Sequence, residues 1–180
     1  MRFHLFLILI FIISTRVFAQ IPLEKMPIPA PAPNRLFYVQ RSPNINMVMY
    51  DANVLPNKKI NPENPVLVYW VLFDDKQKRL PLNYIQRNLA YGVECTPIAN
   101  EPNNFDFRVV SYRKLRLKLT TDATTGAPIA LIPINGKMQQ LQKVYVMVQE
   151  TGRLIPKILY VELFGRDLKS GLAVYERFKP

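Results

Sequence analysis

The sequence predicts an all-β protein with one short helix, arranged as an antiparallel β-sandwich or flattened barrel of about nine strands. Apolar, β-branched and aromatic runs are separated by short turn signals, of which Asn135-Gly136 is the strongest. Only one segment has helical periodicity. No alternation of strands with helices occurs, and no internal repeat is present. Short strands joined by short turns are typical of antiparallel sheets.

The most apolar stretch outside the N-terminus is Val66–Phe73, with eight apolar or aromatic residues in a row. Its β-branched and aromatic content favours a strand, and it is too short to span a membrane. A strand that is apolar on both faces must be covered on both faces. We therefore expect it in the middle of the fold.

The segments before this run predict a hairpin and a long loop. Arg35–Arg41 and Ile45–Asp51 are strand candidates separated by Ser42-Pro43-Asn44. Proline presets the backbone for a turn and asparagine tolerates its tight conformation. Residues 52–64, rich in Asn and Pro, then form the loop that leads to the apolar run.

The one predicted helix is Pro81–Leu89, in which Leu82, Ile85 and Leu89 share a face. No capping residue directly precedes Pro81, so the start of the helix is weakly defined. The strands predicted after it are 90–96, one bent or two short strands within 105–120, 128–134, 137–149, 157–164 and 172–178.

The N-terminus predicts export. Arg2 is followed by the apolar run Leu5–Ile13 and by Val17-Phe18-Ala19, which fits a signal peptide over residues 1–19 with cleavage before Gln20. A short membrane anchor is the weaker alternative, because the apolar run is too brief. No cysteine follows the cleavage site, which excludes lipid attachment there. We expect an exported protein, periplasmic or secreted, with no transmembrane segment after signal removal.

The remaining chain divides into two parts. Residues 20–34 contain five prolines and predict an extended, semi-rigid linker. Residues 35–180 then form a single β domain, large enough for its own core.

Composition excludes several kinds of chemistry. The chain has 24 basic and 13 acidic residues, and its one histidine, His4, lies in the predicted signal peptide. A mature chain without imidazole excludes Ser-His-Asp and Cys-His catalysis and histidine-ligated metal. No phosphate loop or calcium-loop spacing is present, so we expect no cofactor and no metal.

Cys95 is the single cysteine, which excludes an intramolecular disulfide. It shares a predicted strand face with Tyr91 and Val93. A buried thiol acting as a small apolar side chain is favoured over a reactive nucleophile, because no base or cation lies nearby in the sequence.

Five blocks of the domain form a familiar pattern: Leu36–Arg41, Asn44 with Asn46, Val48–Asp51, Pro65–Trp70 and Ile85–Gly92. With these blocks the domain resembles an exported bacterial family catalogued as domain of unknown function 4833, over most of residues 35–180. The resemblance implies an exported domain, and it implies no activity or site residues, because the family has no described activity.

Three carboxylates are candidates for catalysis, because paired carboxylates can hydrolyse glycosides without histidine. Glu94, Glu162 and Glu176 each lie between apolar or mixed neighbours within predicted strands. A carboxylate on an apolar face needs a partner, for which Arg41, Arg87 and Lys157 are candidates. A structural ion pair at a sheet end is the favoured alternative.

The basic residues are more patterned than the acidic ones. Lys114, Arg116 and Lys118 alternate with leucines, and Arg108 joins them if one strand runs through. We call these four residues the basic stripe. It predicts either a solvated strand face that blocks aggregation or a surface that binds an anion. Nucleic acid is not expected as a partner, because the chain is predicted to be exported and Tyr112 is the only nearby aromatic.

These features predict a non-catalytic binding module of the bacterial envelope, with an anionic envelope component, an acidic glycan or an acidic protein as partner. The alternatives are a histidine-free hydrolase that uses carboxylates and a subunit of an envelope assembly. An apolar cavity within the sheet would favour a small-ligand binder, whereas two carboxylates in a concave pocket would favour the enzyme.

Overall fold

Eleven strands form one curled, mixed sheet that closes into a half-barrel. The computed structural model describes residues 26–149 and 156–180. The predicted all-β class is confirmed. The strands are β1 Arg35–Arg41, β2 Asn44–Ala52, β3 Val66–Leu72, β4 Lys78–Pro81, β5 Val93–Pro97, β6 Phe105–Val109, β7 Leu117–Thr121, β8 Pro128–Ile134, β9 Lys137–Gln149, β10 Lys157–Arg166 and β11 Ala173–Phe178.

The long strand β9 is the junction of the sheet. The strand order is β4-β3-β2-β1-β9-β8-β7-β6-β5, while β10 pairs with the other edge of β9, and β11 pairs with β10. The first part of β9 pairs with β8, where Gln140 lies opposite Leu131, and its second part pairs with β1, where Lys143 lies opposite Tyr38. The sheet therefore divides into two arms at β9.

The two arms curl over a shared core. Phe37 of β1 stacks on Tyr50 of β2 with ring centroids 4.4 Å apart, and it lies 6.3 Å from Phe107 of β6 in the other arm. All three side chains are buried. The prediction of an antiparallel sheet differs from the structure at one place, since β1 and β9 are parallel. The apolar residues of β1 and β9 alternate in the same way whichever direction the strand is followed. Periodicity therefore does not define whether the two strands pair in parallel or antiparallel orientation.

Strand β3 is not at the centre of the sheet, because only the short edge strand β4 lies beyond it. Its residues Val68 and Trp70 pack against the main core, while Val71 joins a second cluster with Met47 and Met49 of β2. The apolar character on both faces therefore reflects two clusters, one inside the curl and one outside it.

The segment before β1 packs on this outer cluster. The Gln40 side chain is buried, and its Nε2 donates a hydrogen bond to the Pro27 carbonyl at 2.8 Å. Met26 is buried as well, as are Met47 and Met49 beside Gln40. Residues 26–27 of the predicted linker thus lie against the outer face of β1 and β2. Residues 20–25, the predicted signal peptide and most of the connection between the predicted strands 137–149 and 157–164 lie outside the described residues.

The predicted helix begins later than expected and does not bury its apolar face. Asn83 and Gln86 exchange hydrogen bonds, with the Asn83 amide to Gln86 Oε1 at 3.1 Å and the Gln86 amide to Asn83 Oδ1 at 2.8 Å. This reciprocal capping starts the helix after Asn83. A π-helical turn, Gln86–Ala90, follows. Of the three predicted core residues, Leu82 is buried, but Ile85 and Leu89 are exposed.

The π-helical turn is held by a close approach of the backbone. The Tyr91 amide donates to the Gln86 carbonyl at 2.8 Å. A Cβ atom at Gly92 would lie 1.9 Å from the Arg87 carbonyl oxygen, so only glycine fits there. The turn ends at Ala90, and Gly92 then leads directly into β5.

Candidate functional site

The interior of the curled sheet contains an apolar cavity of about 270 Å³. Two rows of neighbouring residues run across β1, β9 and β10 on its wall. Val39 lies opposite Val144, which lies opposite Leu163. In strands, residues opposite each other on paired strands point to the same face, so each row presents its side chains together. The wall is therefore set by strand register.

The second row contains a charge. Arg41 of β1 lies opposite Val146 of β9, which lies opposite Val161 of β10, and Val161 lies opposite Phe178 of β11. All four line the cavity. Three of them are apolar, and the fourth carries a guanidinium group that stays protonated in proteins.

The opposite wall comes from the other arm of the sheet and from the segment between β6 and β7. A 3₁₀ helix, Val110–Tyr112, places Tyr112 against Phe178, with ring centroids 5.9 Å apart. The buried residues Leu117 and Ile132 complete this side. Both walls are thus apolar, which suits the hydrocarbon part of a ligand rather than a polar molecule.

Tyr50 and Tyr91 close the cavity toward the π-helical turn. The fully buried Tyr50 hydroxyl donates a hydrogen bond to the Tyr91 carbonyl at 2.8 Å. Burial raises the pKa of both hydroxyls, and at Tyr91 the positive charge of Arg41 and a side-chain interaction between Arg41 and the Tyr91 hydroxyl oppose that rise. Both hydroxyls are therefore neutral at physiological pH.

Arg41 is the one charged side chain among the described residues that line the cavity. It is half-buried, its Nε is buried without a hydrogen-bond partner, and it takes part in none of the ion pairs of the described residues. Arg35 on the same strand contrasts with it, because its guanidinium pairs with Asp51. Arg41 was considered from the sequence only as a partner for a glutamate. Counting by two from Phe37 places it on the buried face, and this signal could have identified it.

None of the three candidate carboxylates lines the cavity. Glu94 is exposed and pairs with Arg113 at 2.7 Å. Glu176 accepts a hydrogen bond from the Asn135 amide at 2.6 Å, which ties β11 to the turn between β8 and β9. Both carboxylates have structural partners, and their catalytic role stays a prediction without support from the cavity geometry.

Glu162 lies on the outer face of β10 and is 3% exposed. Its Oε1 accepts hydrogen bonds from Arg177 Nη2 at 2.6 Å and from the Tyr175 hydroxyl at 2.8 Å, whereas its buried Oε2 has no partner among the described residues. Arg177 also lies over the Tyr160 ring at 4.4 Å. Arg177, and not Arg41 or Arg87, is therefore the cation that neutralises Glu162.

The basic stripe is broken in the structure. The segment between β6 and β7 leaves the sheet at the 3₁₀ helix, because the Val110 amide bonds to the Gly92 carbonyl. Lys114 consequently lies in a turn and not on a strand with Lys118. Arg116 and Lys118 are paired with carboxylates, Asp106 at 3.6 Å and Glu101 at 2.5 Å. The interleaved acids weaken the positive potential of this face, and binding by the stripe stays a prediction.

Cys95 is half-buried and packs against the main core. Burial raises the pKa of its thiol to about 11. Within the described residues, no group of three or more His, Cys, Asp or Glu side chains is arranged to hold a metal ion. No helix in the described part of the chain is long and apolar enough to cross a membrane.

Comparison with known proteins gives one match. The model of a family described as Domain of unknown function (DUF4833) matches residues 37–177, which covers the strands from β1 to β11. No curated protein and no solved structure matches the chain.

Proposed function

We propose that the chain, which belongs to the family described as Domain of unknown function (DUF4833), is an exported, non-catalytic module that binds the apolar part of a small molecule. The reason is the apolar cavity that its curled sheet encloses. The single observation that carries this proposal is the cavity of about 270 Å³. Ligand sites are typically concave, mostly apolar and supplied with a few polar groups.

The size of the cavity sets the size of the ligand. A water molecule occupies about 30 Å³ of liquid, so the cavity has room for about nine groups of that size. Burying a methylene group contributes about 0.8 kcal/mol, which gives about 7 kcal/mol for such a chain before the cost of association. The apolar part alone therefore gives a dissociation constant no tighter than about 10 μM.

The two alternatives have less support. A carboxylate-dependent hydrolase needs two carboxylates beside its substrate, and the described lining contains no Asp or Glu side chain. A subunit that docks through a sheet edge needs an unprotected edge strand, and β4, β5 and β11 are the edge strands of the described sheet. Charged residues or proline, which disfavour pairing with another chain, lie in all three: Lys78, Arg79 and Pro81 in β4, Glu94 and Pro97 in β5, and Glu176 and Arg177 in β11.

A titration with a small uncharged fluorescent probe, 1-naphthylamine, tests the proposal. Wild type should bind one probe per chain with saturation. Val144→Phe should abolish this binding, because Val144 lies in the middle of the cavity wall. Val54→Phe is the matched control, since Val54 is also a half-buried valine packed on the core but does not line the cavity. Circular dichroism verifies that both variants are folded.

Two outcomes would refute cavity binding. The first is that wild type shows no saturable binding of the probe. The second is that Val144→Phe is folded and binds as well as Val54→Phe, which would place the probe elsewhere on the molecule.

A further inference from the structure

We infer that the ligand is an anionic amphiphile, an aliphatic chain ending in a carboxylate, and that Arg41 binds its head. This inference rests on the proposed function and specifies its ligand class. It starts from the unusual position of one charge. Arg41 is in register with Val146, Val161 and Phe178, so a guanidinium faces the same cavity as three apolar side chains.

The charge of Arg41 is not compensated within the described residues. Its Nε is buried and has no acceptor, and no carboxylate of the described residues is within ion-pair distance. A buried donor without an acceptor is unfavourable, and arginine cannot relieve this by losing its proton. Arg35, six residues earlier on the same strand, also has one buried nitrogen without an acceptor, Nη1, but its charge is paired with Asp51 and it bonds to Tyr69. An acceptor supplied by a ligand would complete the site at Arg41 in the same way.

The other polar groups of the cavity are compatible with an anion. Tyr91, Ser111 and Tyr112 line the cavity with Arg41, and each carries a hydroxyl group that can donate a hydrogen bond. The planar guanidinium matches the two oxygens of a carboxylate, whereas a cationic head would be repelled. The remaining apolar lining leaves room for an aliphatic tail of about nine groups.

Competition against 1-naphthylamine at pH 8 and low salt tests the inference with three ligands of equal chain length: decanoate, decanol and decyltrimethylammonium. Decanoate should displace the probe from wild type at concentrations about 10- to 100-fold lower than decanol, equivalent to about 1.4–2.8 kcal/mol. Decyltrimethylammonium should be the weakest of the three.

Two variants locate the head group. Arg41→Met keeps an unbranched side chain and removes the charge, so it should bring decanoate to the level of decanol. Because Arg41 lines the cavity, the affinity of the probe is measured again in this variant, and the two ligands are compared on that scale. Arg166→Met is the matched control, because Arg166 is an exposed arginine of β10 that does not line the cavity, and it should keep the preference for decanoate.

The possible failures are distinguishable. If the probe and decanol bind, but decanoate has no advantage or keeps it in Arg41→Met, this inference is wrong and the proposed function stands. If neither the probe nor any of the three ligands binds to folded wild type, the proposed function and the inference are both wrong.

Discussion

The hydroxyl of Tyr50 provides a sharp test of the described core. This side chain is fully buried, stacks on Phe37 at 4.4 Å and donates a hydrogen bond to the Tyr91 carbonyl at 2.8 Å. The bond connects β2 to the end of the π-helical turn, 41 residues further along the chain. Tyr50→Phe removes the donor and keeps the ring.

The expected loss follows from these contacts. A hydrogen bond between neutral groups contributes about 0.5–1.5 kcal/mol, and its removal leaves the Tyr91 carbonyl without this donor, so Tyr50→Phe should lower the free energy of unfolding by about 1–1.5 kcal/mol. Tyr50→Ala also removes the stacked ring and leaves a void, and it should cost about 3–5 kcal/mol, as large aromatic truncations do.

Urea unfolding followed by the fluorescence of Trp70, the single tryptophan, measures both losses. With a denaturant slope of about 2–3 kcal/mol per molar urea, Tyr50→Phe should lower the midpoint by about 0.5 M without changing the slope. Tyr84→Phe is the matched control. The Tyr84 side chain is 82% exposed, so this change should stay within about 0.5 kcal/mol of wild type.

Equal stability of Tyr50→Phe and wild type would refute this reasoning. It would mean that the hydroxyl contributes nothing to holding the π-helical turn against β2. A loss as large as that of Tyr50→Ala would also contradict it, because the ring and its stacking are unchanged.

Three further predictions concern reactivity, pH and surface charge. Burial raises the pKa of the Cys95 thiol from 9.0 to about 11. Alkylation by iodoacetamide at pH 8 should therefore be about a hundredfold slower in the native protein than in the urea-unfolded chain. Equal rates would show that the thiol is not buried. Hydrogen bonds from Ser170 lower the pKa of the half-buried Asp167 to about 2, below an unfolded value of about 3.9. Its contribution to stability is therefore present above about pH 4 and is lost as the pH falls through 2, so the loss of stability in Asp167→Ala, measured by urea midpoints, should shrink over this range, and a constant loss would exclude the linkage. For the basic stripe, we reverse the charges of Lys114, Arg116 and Lys118 and expect co-sedimentation with phosphatidylglycerol vesicles at low salt to weaken by only about tenfold, because Lys114 alone of these three has no ion-pair partner among the described residues. A hundredfold loss would show that the stripe acts as one surface.

The turns and strands with strong local signals were predicted well. Asn135-Gly136 joins β8 and β9, and both strands have the expected bounds of 128–134 and 137–149. This hairpin depends on local backbone preferences, since Asn135 and Gly136 both adopt positive φ angles. Such preferences are properties of a few adjacent residues and can be identified without knowledge of the rest of the fold.

The features that depend on distant partners could not be predicted in this way. The apolar run was expected at the centre of the sheet, but its outer face is covered by a local cluster with Met47 and Met49. The alternation of Lys114 to Lys118 predicted a strand, but a 3₁₀ helix and a turn interrupt it. The same limit applies to the cavity, because the row that contains Arg41 exists only once β1, β9, β10 and β11 are in register.

The parallel pairing of β1 with β9 has a consequence for the order of folding. The β1–β2 hairpin joins neighbouring residues, whereas Ser42 contacts Met147 across 105 positions of the chain. Closing so long a loop is slow, and sheets with many distant contacts fold more slowly than those with local ones. The hairpins of each arm can form while the chain is still being made, but the curl closes only when β9 arrives. Until then the apolar wall of the cavity is open to water, so the late closure of β1 on β9 is the step at which a growing chain is most exposed to aggregation.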